Sequence, residues 1–194
     1  MGRTPFSMLP LSNRLSRIGH HSHLFPYSST LESLQQAPNR LVDIIHRQVH
    51  SPQYACIGHS LGTVLIRQAL PQLTSQPSAC LFLAPPMVAC KAAQFFSSFW
   101  PYQVINGEMG QRLAQEDLMA QLLLPTNLKI YAGTAGLRAP WLPFGNQVND
   151  GILSLAEASG QSEAEVIQVP ALHTLIMNSK IVCADIAQTL SGVA

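Results

Sequence analysis

The sequence predicts an α/β fold in which a largely parallel sheet of about five or six strands lies between two layers of helices. Short apolar runs alternate along the 194 residues with longer segments of helical period. The run ACLFL at 79–83 is apolar throughout, which is typical of a strand covered on both faces. Strands separated by helices pair in parallel, because each connection has to cross over the sheet.

The composition indicates a folded chain with a sizeable core. Hydrophobic residues make up 47% of the sequence and charged residues 11%, with a formal net charge of +1. Disordered chains show the opposite balance. The pI of about 7.8 and the lack of Lys/Arg runs argue against a nucleic-acid partner. The length fits one domain spanning residues 1–194.

The sequence also predicts where the chain resides. No apolar run approaches a membrane span, and the N-terminus lacks the apolar core of a signal peptide. The 4 cysteines form no C-x-x-C pair, so free thiols in a reducing, cytoplasmic setting are expected. Peripheral membrane contact stays open, and the sequence does not determine an oligomeric state.

The N-terminal elements follow from periodicity. Residues 8–18 place Leu11, Leu15 and Ile18 on one helical face, and a glycine follows. A short strand is predicted at 23–27. A helix is predicted over 30–49, kinked or split at Pro38.

The remaining elements continue the alternation. Further strands are predicted at 54–57, 79–83, 128–132 and 165–169, and further helices at 61–73 and 172–190. Residues 87–126 are less regular and rich in aromatic side chains. We interpret them as a helical excursion over one sheet edge, of the size of a small cap.

The segment most informative about function is GHSLG at 58–62, which follows an apolar strand and precedes an amphipathic helix. This context is typical of a nucleophile elbow, a tight turn that exposes the serine oxygen at the carboxyl end of a sheet. Gly58 and Gly62 are expected to prevent Cβ clashes around the turn, while His59 points away from the nucleophile. Ser60 is the predicted nucleophile.

A serine hydroxyl is inert without a neighbouring base. An elbow of this kind requires a histidine later in the chain, at the end of a later strand. His173 fits, because it follows the strand at 165–169 and opens the predicted last helix. The other histidines precede Ser60, which is the wrong order.

The acid of such a site lies between the strands at 128–132 and 165–169. Three carboxylates occur there: Asp150, Glu157 and Glu163. Asp150 stands in a polar turn that opens an apolar, helix-like run, which favours it over the other two. Its predicted task is to fix the imidazole tautomer and to stabilise the imidazolium.

Two histidine pairs have the spacing of metal ligands but lack the rest of a site. His21 and His23 lie on one face of the predicted short strand, and His46 and His50 are four apart on a helix. Neither pair has an Asp, Glu or Cys at ligand spacing, and H-E-x-x-H is absent. No Gly-rich phosphate loop occurs either. The sequence predicts no metal and no cofactor.

The chain resembles the α/β-hydrolases and is similar to bacterial lipase-like and esterase-like members over nearly all of its length. The resemblance implies the same three residues that chain order selects, Ser60, Asp150 and His173, acting on small-molecule or lipid carboxylic esters without a cofactor. The matching segments are GRTPFSM at 2–8, GHSLG at 58–62, LAPP at 83–86, NGEMGQRL at 106–113, AGT at 132–134, NDGILS at 149–154 and ALHTLIMN at 171–178.

The resemblance departs at the start of the chain. Such relatives carry a strand that ends in His-Gly before the segment matching GRTP, and here Met1 stands one residue after that point. The resemblance implies that the N–H groups of Met1 and Leu61 form the oxyanion hole. Loss of one such donor costs about 10²–10³ in rate. We therefore expect that the true start lies upstream and that the missing strand pairs between those at 23–27 and 54–57.

The expected activity is ester hydrolysis through an acyl-enzyme. Two alternatives stay open: a catalytically impaired relative that serves as a binding or structural protein, and an acyltransferase that uses the same three residues. Peptidase and thioesterase activities also remain, because one fold hosts many substrates.

Overall fold

The computed structural model describes residues 5–28, 31–49, 53–88, 119, 121–160 and 162–193. Its α-helices and strands, in chain order, are α1 (Leu9–Ser16), α2 (Gln36–Gln48), β1 (Ala55–His59), α3 (Leu61–Ala69), β2 (Ala79–Leu83), β3 (Leu128–Gly133), α4 (Leu155–Ser159), β4 (Glu165–Val169) and α5 (Lys180–Val193). Single 3-10 turns occur at Pro5–Met8, Leu70–Gln72 and Ile176–Asn178.

The described strands form one parallel sheet in the order β1-β2-β3-β4. The carboxyl ends of neighbouring strands are aligned, since His59 pairs with Leu83 and Leu83 with Tyr131. The turns that follow β1, β2, β3 and β4 therefore lie along one edge of the sheet. This arrangement confirms the predicted α/β class with a parallel sheet.

Helices cover both faces of the sheet. On one face α1 and α5 pack on alternate strand residues, including Leu81, Leu83 and Tyr131. On the other face α2 and α3 pack on the intervening positions, including Phe82 and Ile130. Every residue of β2 is buried, which explains why its sequence is uninterruptedly apolar.

The predicted strand at 23–27 is wrong, because residues 20–28 form no regular structure. Among the described residues β1 pairs with β2 alone, so this segment has no neighbouring strand to complete a ladder. Phe25 and Tyr27 instead pack their rings against the helical side of the core. Apolar content at 23–27 thus reflects side-chain burial without backbone pairing.

Two predicted helices begin later than expected. α2 begins at Gln36, so Pro38 lies in its first turn, where a missing N–H breaks no intrahelical bond. The predicted kink there is wrong. The last helix begins at Lys180, and residues 170–175 before it form turns. His173 therefore lies in a loop and does not open a helix.

Most of the predicted excursion at 87–126 lies outside the described residues. Of its described part, Met119 is buried against Leu34, Val64 and Leu65. Within the described ranges, no helix combines the length and the apolar character needed to cross a bilayer.

Candidate active site

The turn between β1 and α3 holds Ser60 in a strained backbone conformation. Its φ of 52° and ψ of −123° lie where a residue with a Cβ rarely occurs. The Ser60 N–H donates to the carbonyl of Leu83 at 3.0 Å, and its own carbonyl accepts from the Thr63 N–H at 3.0 Å and the Thr63 hydroxyl at 2.7 Å. Neighbouring strand and following helix together stabilise the turn, as strain of this kind requires.

The glycines at either side of Ser60 differ in what they permit. A Cβ on Gly58 would lie 2.8 Å from Ile66 Cδ1 and 3.0 Å from the Thr63 backbone nitrogen, so only glycine allows α3 to approach β1 this closely. Among the described residues outside its chain neighbours and the backbone of α3 itself, a Cβ on Gly62 would meet only the Tyr27 hydroxyl oxygen, at 3.9 Å. The predicted Cβ clash therefore occurs at Gly58, and the contacts around Gly62 show no such clash.

Asp150 lies in a tight turn after β3 and is 2% exposed. Its Oδ1 accepts the N–H groups of Ile152 at 2.9 Å and Leu153 at 2.7 Å. The Asp150 N–H in turn donates to the Leu153 carbonyl at 2.9 Å. Since these bonds hold one carboxylate oxygen within its own turn, Oδ2 has a fixed direction.

Close backbone approach brings this turn to the sheet. A Cβ on Gly133, the last residue of β3, would lie 2.6 Å from the carbonyl oxygen of Ala171 and 2.7 Å from Cβ of Asp150. A Cβ on Gly136 would overlap the side chain of Asn149. Gly133 thus lets the acid turn and the loop after β4 meet at the end of β3, and Gly136 lets the acid turn approach the segment after the strand.

His173 connects Asp150 to Ser60. Its Nδ1 is 2.8 Å from Asp150 Oδ2, and its Nε2 is 2.9 Å from Ser60 Oγ. The His173 N–H also donates to the Asp150 carbonyl at 2.9 Å, and the residue is 1% exposed. The structure therefore brings together the three residues that the sequence selected. His173 is more than 20 positions from Asp150 and more than 110 positions from Ser60.

This geometry defines a direction for proton transfer. A carboxylate only accepts hydrogen bonds, so the proton of the neutral imidazole lies on Nδ1 and Nε2 is free to accept from the Ser60 hydroxyl. Burial of the pair keeps water from competing for these bonds. The arrangement can deprotonate Ser60 and hold the resulting imidazolium, which are the two tasks of a base that activates a nucleophile.

The predicted oxyanion donors have different outcomes. Leu61 is the first residue of α3, and an N–H at that position has no carbonyl to bond within the helix. Leu61 directly follows Ser60, and its N–H lies at the N-terminus of α3, where the helix dipole favours a negative charge. Met1 lies outside the described residues, and the second donor stays a prediction.

His59 makes a contact that the sequence did not reveal. Its Nε2 is 2.9 Å from the carbonyl oxygen of His173, and the two imidazole rings have centroids 5.0 Å apart at 54°. The sequence assigned His59 only to the elbow, pointing away from the nucleophile. No local signal could have found this partner, because 114 positions separate the two residues.

The candidates that the sequence did not favour lie elsewhere. Glu157 closes a capping box with Ser154 at the start of α4, and Glu163 is an exposed loop residue. His21 and His23 are exposed in the segment without regular structure, and His50 lies outside the described residues. Within the described part of the chain, no three His, Cys, Asp or Glu side chains are grouped as metal ligands.

Comparison with known proteins gives likeness in structure alone. No family model and no curated protein sequence matches the chain. A Bacillus licheniformis lipase superposes with a TM-score of 0.69 at 14% identity, covering 97% of this chain and 87% of the lipase. A metagenomic carboxyl esterase gives a TM-score of 0.70 at 15% identity, covering 94% of this chain and 69% of the esterase.

A third structure carries the fold name in its description. An extracellular alpha/beta-hydrolase from a Paenibacillus species superposes with a TM-score of 0.64 at 13% identity, covering 98% of this chain and 94% of that protein. Identities this low identify a shared architecture. Together with the parallel sheet, its two helical layers and the strained serine turn after β1, they show that the chain has the α/β-hydrolase fold.

Proposed function

We propose that this protein is a serine hydrolase that cleaves carboxylic esters through an acyl-enzyme, with Ser60 as nucleophile, His173 as base and Asp150 as the acid partner. The observation that carries the proposal is the continuous hydrogen-bonded chain from Ser60 Oγ through His173 to Asp150 Oδ2, with links of 2.9 and 2.8 Å. Each link lies within the range expected for a nucleophile, its base and the group that orients the base.

The first step transfers the acyl group to the protein. Nε2 of His173 takes the hydroxyl proton as Ser60 Oγ forms a bond to the ester carbonyl carbon. The negative charge on the carbonyl oxygen is stabilised by the Leu61 N–H. The carbon–oxygen bond to the alcohol then breaks, and the departing alcohol takes the proton from Nε2.

The second step regenerates the serine. A water molecule gives one proton to Nε2 while its oxygen attacks the acyl carbon. The bond between that carbon and Ser60 Oγ then breaks, and the serine recovers its proton from His173. The products are one carboxylic acid and one alcohol, and no other reactant is consumed.

Two features favour esters with apolar groups as substrates. The solved structures with which the chain superposes include a lipase and a carboxyl esterase. In this chain Leu172, next to His173, is 41% exposed. Its side chain gives a substrate an apolar surface beside the base.

The test is the variant Ser60→Ala, assayed on p-nitrophenyl acetate and butyrate and with a fluorophosphonate probe that labels activated serines. We expect hydrolysis to fall by about 10⁴ or more and labelling to disappear. Ser191→Ala is the matched control, because Ser191 is an exposed serine of α5 that bonds only the Ala187 carbonyl among its described contacts.

The two alternatives give different outcomes. A wild-type protein that neither labels nor hydrolyses any ester supports a binding or structural role and contradicts the proposal. A Ser60-dependent activity that transfers the acyl group to an added alcohol in preference to water supports an acyltransferase. Wild-type hydrolysis by Ser60→Ala removes Ser60 from the mechanism.

A further inference from the structure

We propose that His59 is a positioning residue, whose imidazole holds the loop carrying His173 in register with the serine turn. This inference rests on the proposed function, since it assigns a second histidine to the same site. It does not place His59 in contact with the substrate or the reacting atoms.

The contact has only one arrangement of its proton. The carbonyl oxygen of His173 is an acceptor, so the 2.9 Å contact to His59 requires that Nε2 of His59 carries a hydrogen. His59 is the last residue of β1, where its backbone pairs with Leu83 of β2. Because the sheet fixes the backbone of His59, the bond from its side chain fixes the position of the loop relative to the sheet.

His173 is thereby held from two directions by its backbone as well as by its ring. Its N–H donates to the carbonyl of Asp150, and its C=O accepts from His59, the neighbour of Ser60. Its Nδ1 bonds the side chain of Asp150, and its Nε2 bonds that of Ser60. The backbone contacts thus repeat the order acid, base, nucleophile that the side-chain contacts make.

Other backbone bonds join this loop to the end of β4 and to the segment after β3. The Ala135 N–H donates to the Ala171 carbonyl at 3.2 Å, and the Ala171 N–H donates to the Val169 carbonyl at 2.7 Å. These bonds locate the loop relative to β4 and to the segment after β3. The loop is joined to the serine turn by the His173–Ser60 side-chain bond and by the bond from His59 to the His173 carbonyl, and only the second is independent of the reacting atoms. Loss of the His59 donor would therefore let Nε2 of His173 move relative to Ser60 Oγ.

The test compares two substitutions of His59. His59→Leu has a side chain of similar bulk without a donor, and His59→Gln carries an N–H donor at similar reach. We expect the Leu variant to lose about 10- to 100-fold in kcat with KM within about twofold, because displacement of the base slows the chemical steps and leaves ester binding intact. We expect the Gln variant to recover to within about threefold of wild type. His21→Leu, an exposed histidine in the segment before α2, is the control and should leave kcat unchanged.

A second measurement needs no activity. Hydrogen exchange followed by mass spectrometry on peptides covering 170–176 should quicken in His59→Leu and stay near wild type in His59→Gln. Equal kcat in wild type and the Leu variant, or equal losses in the Leu and Gln variants that follow a shared fall in Tm, would overturn the inference. Retained hydrolysis in Ser60→Ala would instead refute the proposed function, while the exchange data would still decide the role of His59.

Discussion

Strand β3 supports two carboxylates whose surroundings are opposite. Asp150 is nearly excluded from water at the carboxyl end of the strand, and its partners are two backbone N–H groups and one imidazole. Asp185 lies on α5 with 27% of its side chain exposed, and its Oδ2 accepts from the Lys129 ammonium at 3.0 Å and the Tyr131 hydroxyl at 2.7 Å. One carboxylate is oriented by a turn, and the other joins a helix to the sheet.

The difference separates chemistry from stability. Both partners of Asp185 are side chains of β3, and Lys129 also bonds Glu165 at 3.2 Å and Thr189 at 3.2 Å. We therefore expect a substitution there to loosen α5 and to leave the serine turn unchanged. At Asp150 the backbone supplies most of the fixed contacts, so the remaining oxygen is available to orient a base. A buried carboxylate supported by its own turn is therefore the one suited to a catalytic site.

The largest expected effect comes from converting the Asp150 carboxylate to an amide. Asp150→Asn keeps an acceptor for the turn and presents an N–H₂ group to Nδ1 of His173, which favours the wrong imidazole tautomer. We expect kcat/KM for a p-nitrophenyl ester to fall by about 10³–10⁴ with little change in Tm.

Asp185→Asn is the matched variant. We expect it to lose about 1 to 3 kcal/mol of unfolding free energy, measured by urea denaturation, and to retain wild-type kcat/KM. A comparable loss of activity in both variants would mean that the two carboxylates do not divide these tasks.

A smaller effect is expected from Gly133→Ala, which adds one methyl group between the acid turn and the base loop. The new Cβ would lie within 2.7 Å of Ala171 O and Asp150 Cβ, neither of which is the end of a flexible side chain. We expect about 1 to 3 kcal/mol of destabilisation and about 10- to 100-fold loss of kcat.

Gly192→Ala in α5 provides the contrast for that methyl group. Among the described residues outside the backbone of α5 itself, no atom lies within 4 Å of the position that the added methyl group would take. The substitution should therefore leave activity unchanged. Wild-type kcat in Gly133→Ala would show that the loops can separate without cost to the site.

The smallest expected effect concerns the pH dependence of stability that arises from Tyr131, the hydroxyl partner of Asp185. Burial, together with the hydrogen bond and negative charge of Asp185, raises the pKa of Tyr131 above its usual value near 10. The folded protein therefore retains the phenol proton at pH values where the unfolded chain loses it. This contribution is complete below about pH 10 and is lost as the pH rises further.

Tyr131→Phe removes that titration. We expect it to cost about 1 kcal/mol at pH 8, through loss of the bond to Asp185, and to lose stability less steeply than wild type between about pH 9.5 and 11. Urea unfolding across this range measures both quantities. The pKa values of Cys56 and Tyr27 are also raised by burial, to about 12, and they act equally in both proteins, so the difference between the two curves isolates Tyr131. Parallel curves would contradict the assignment.

Local patterns were sufficient for the strands and for the serine turn. The strands at 79–83 and 165–169 have the predicted bounds. The first is a continuous apolar run between turn residues, and the second is a short segment rich in β-branched residues that is bounded by a polar loop and a proline. Ser60 could be singled out because a strand, two glycines and a helix must succeed one another within a few residues to build such a turn. The selection of Asp150 and His173 needed one further rule, their order in the chain.

Sequence patterns were misleading where a residue's type did not determine its place in the backbone structure. Residues 23–27 are apolar enough for a strand, yet the rings of Phe25 and Tyr27 are packed while no strand among the described residues pairs with this segment. Pro38 resembles a helix breaker until its place in the first turn of α2 is known. Gly62 belongs to the same G-x-S-x-G pattern as Gly58. Outside its own helix, however, a Cβ there would meet almost nothing among the described residues, because α3 approaches β1 closely on the Gly58 side of the turn only.

The sequence by itself determined the parallel α/β class, the serine turn and the candidate acid and base, because each is encoded in residues that are near neighbours or in their order. Only the tertiary structure decided that Gly133 lies against both the acid turn and the loop after β4, and that His59 bonds the backbone of His173. Contacts of this kind depend on where distant strands end relative to one another, and that alignment follows from packing of the whole sheet.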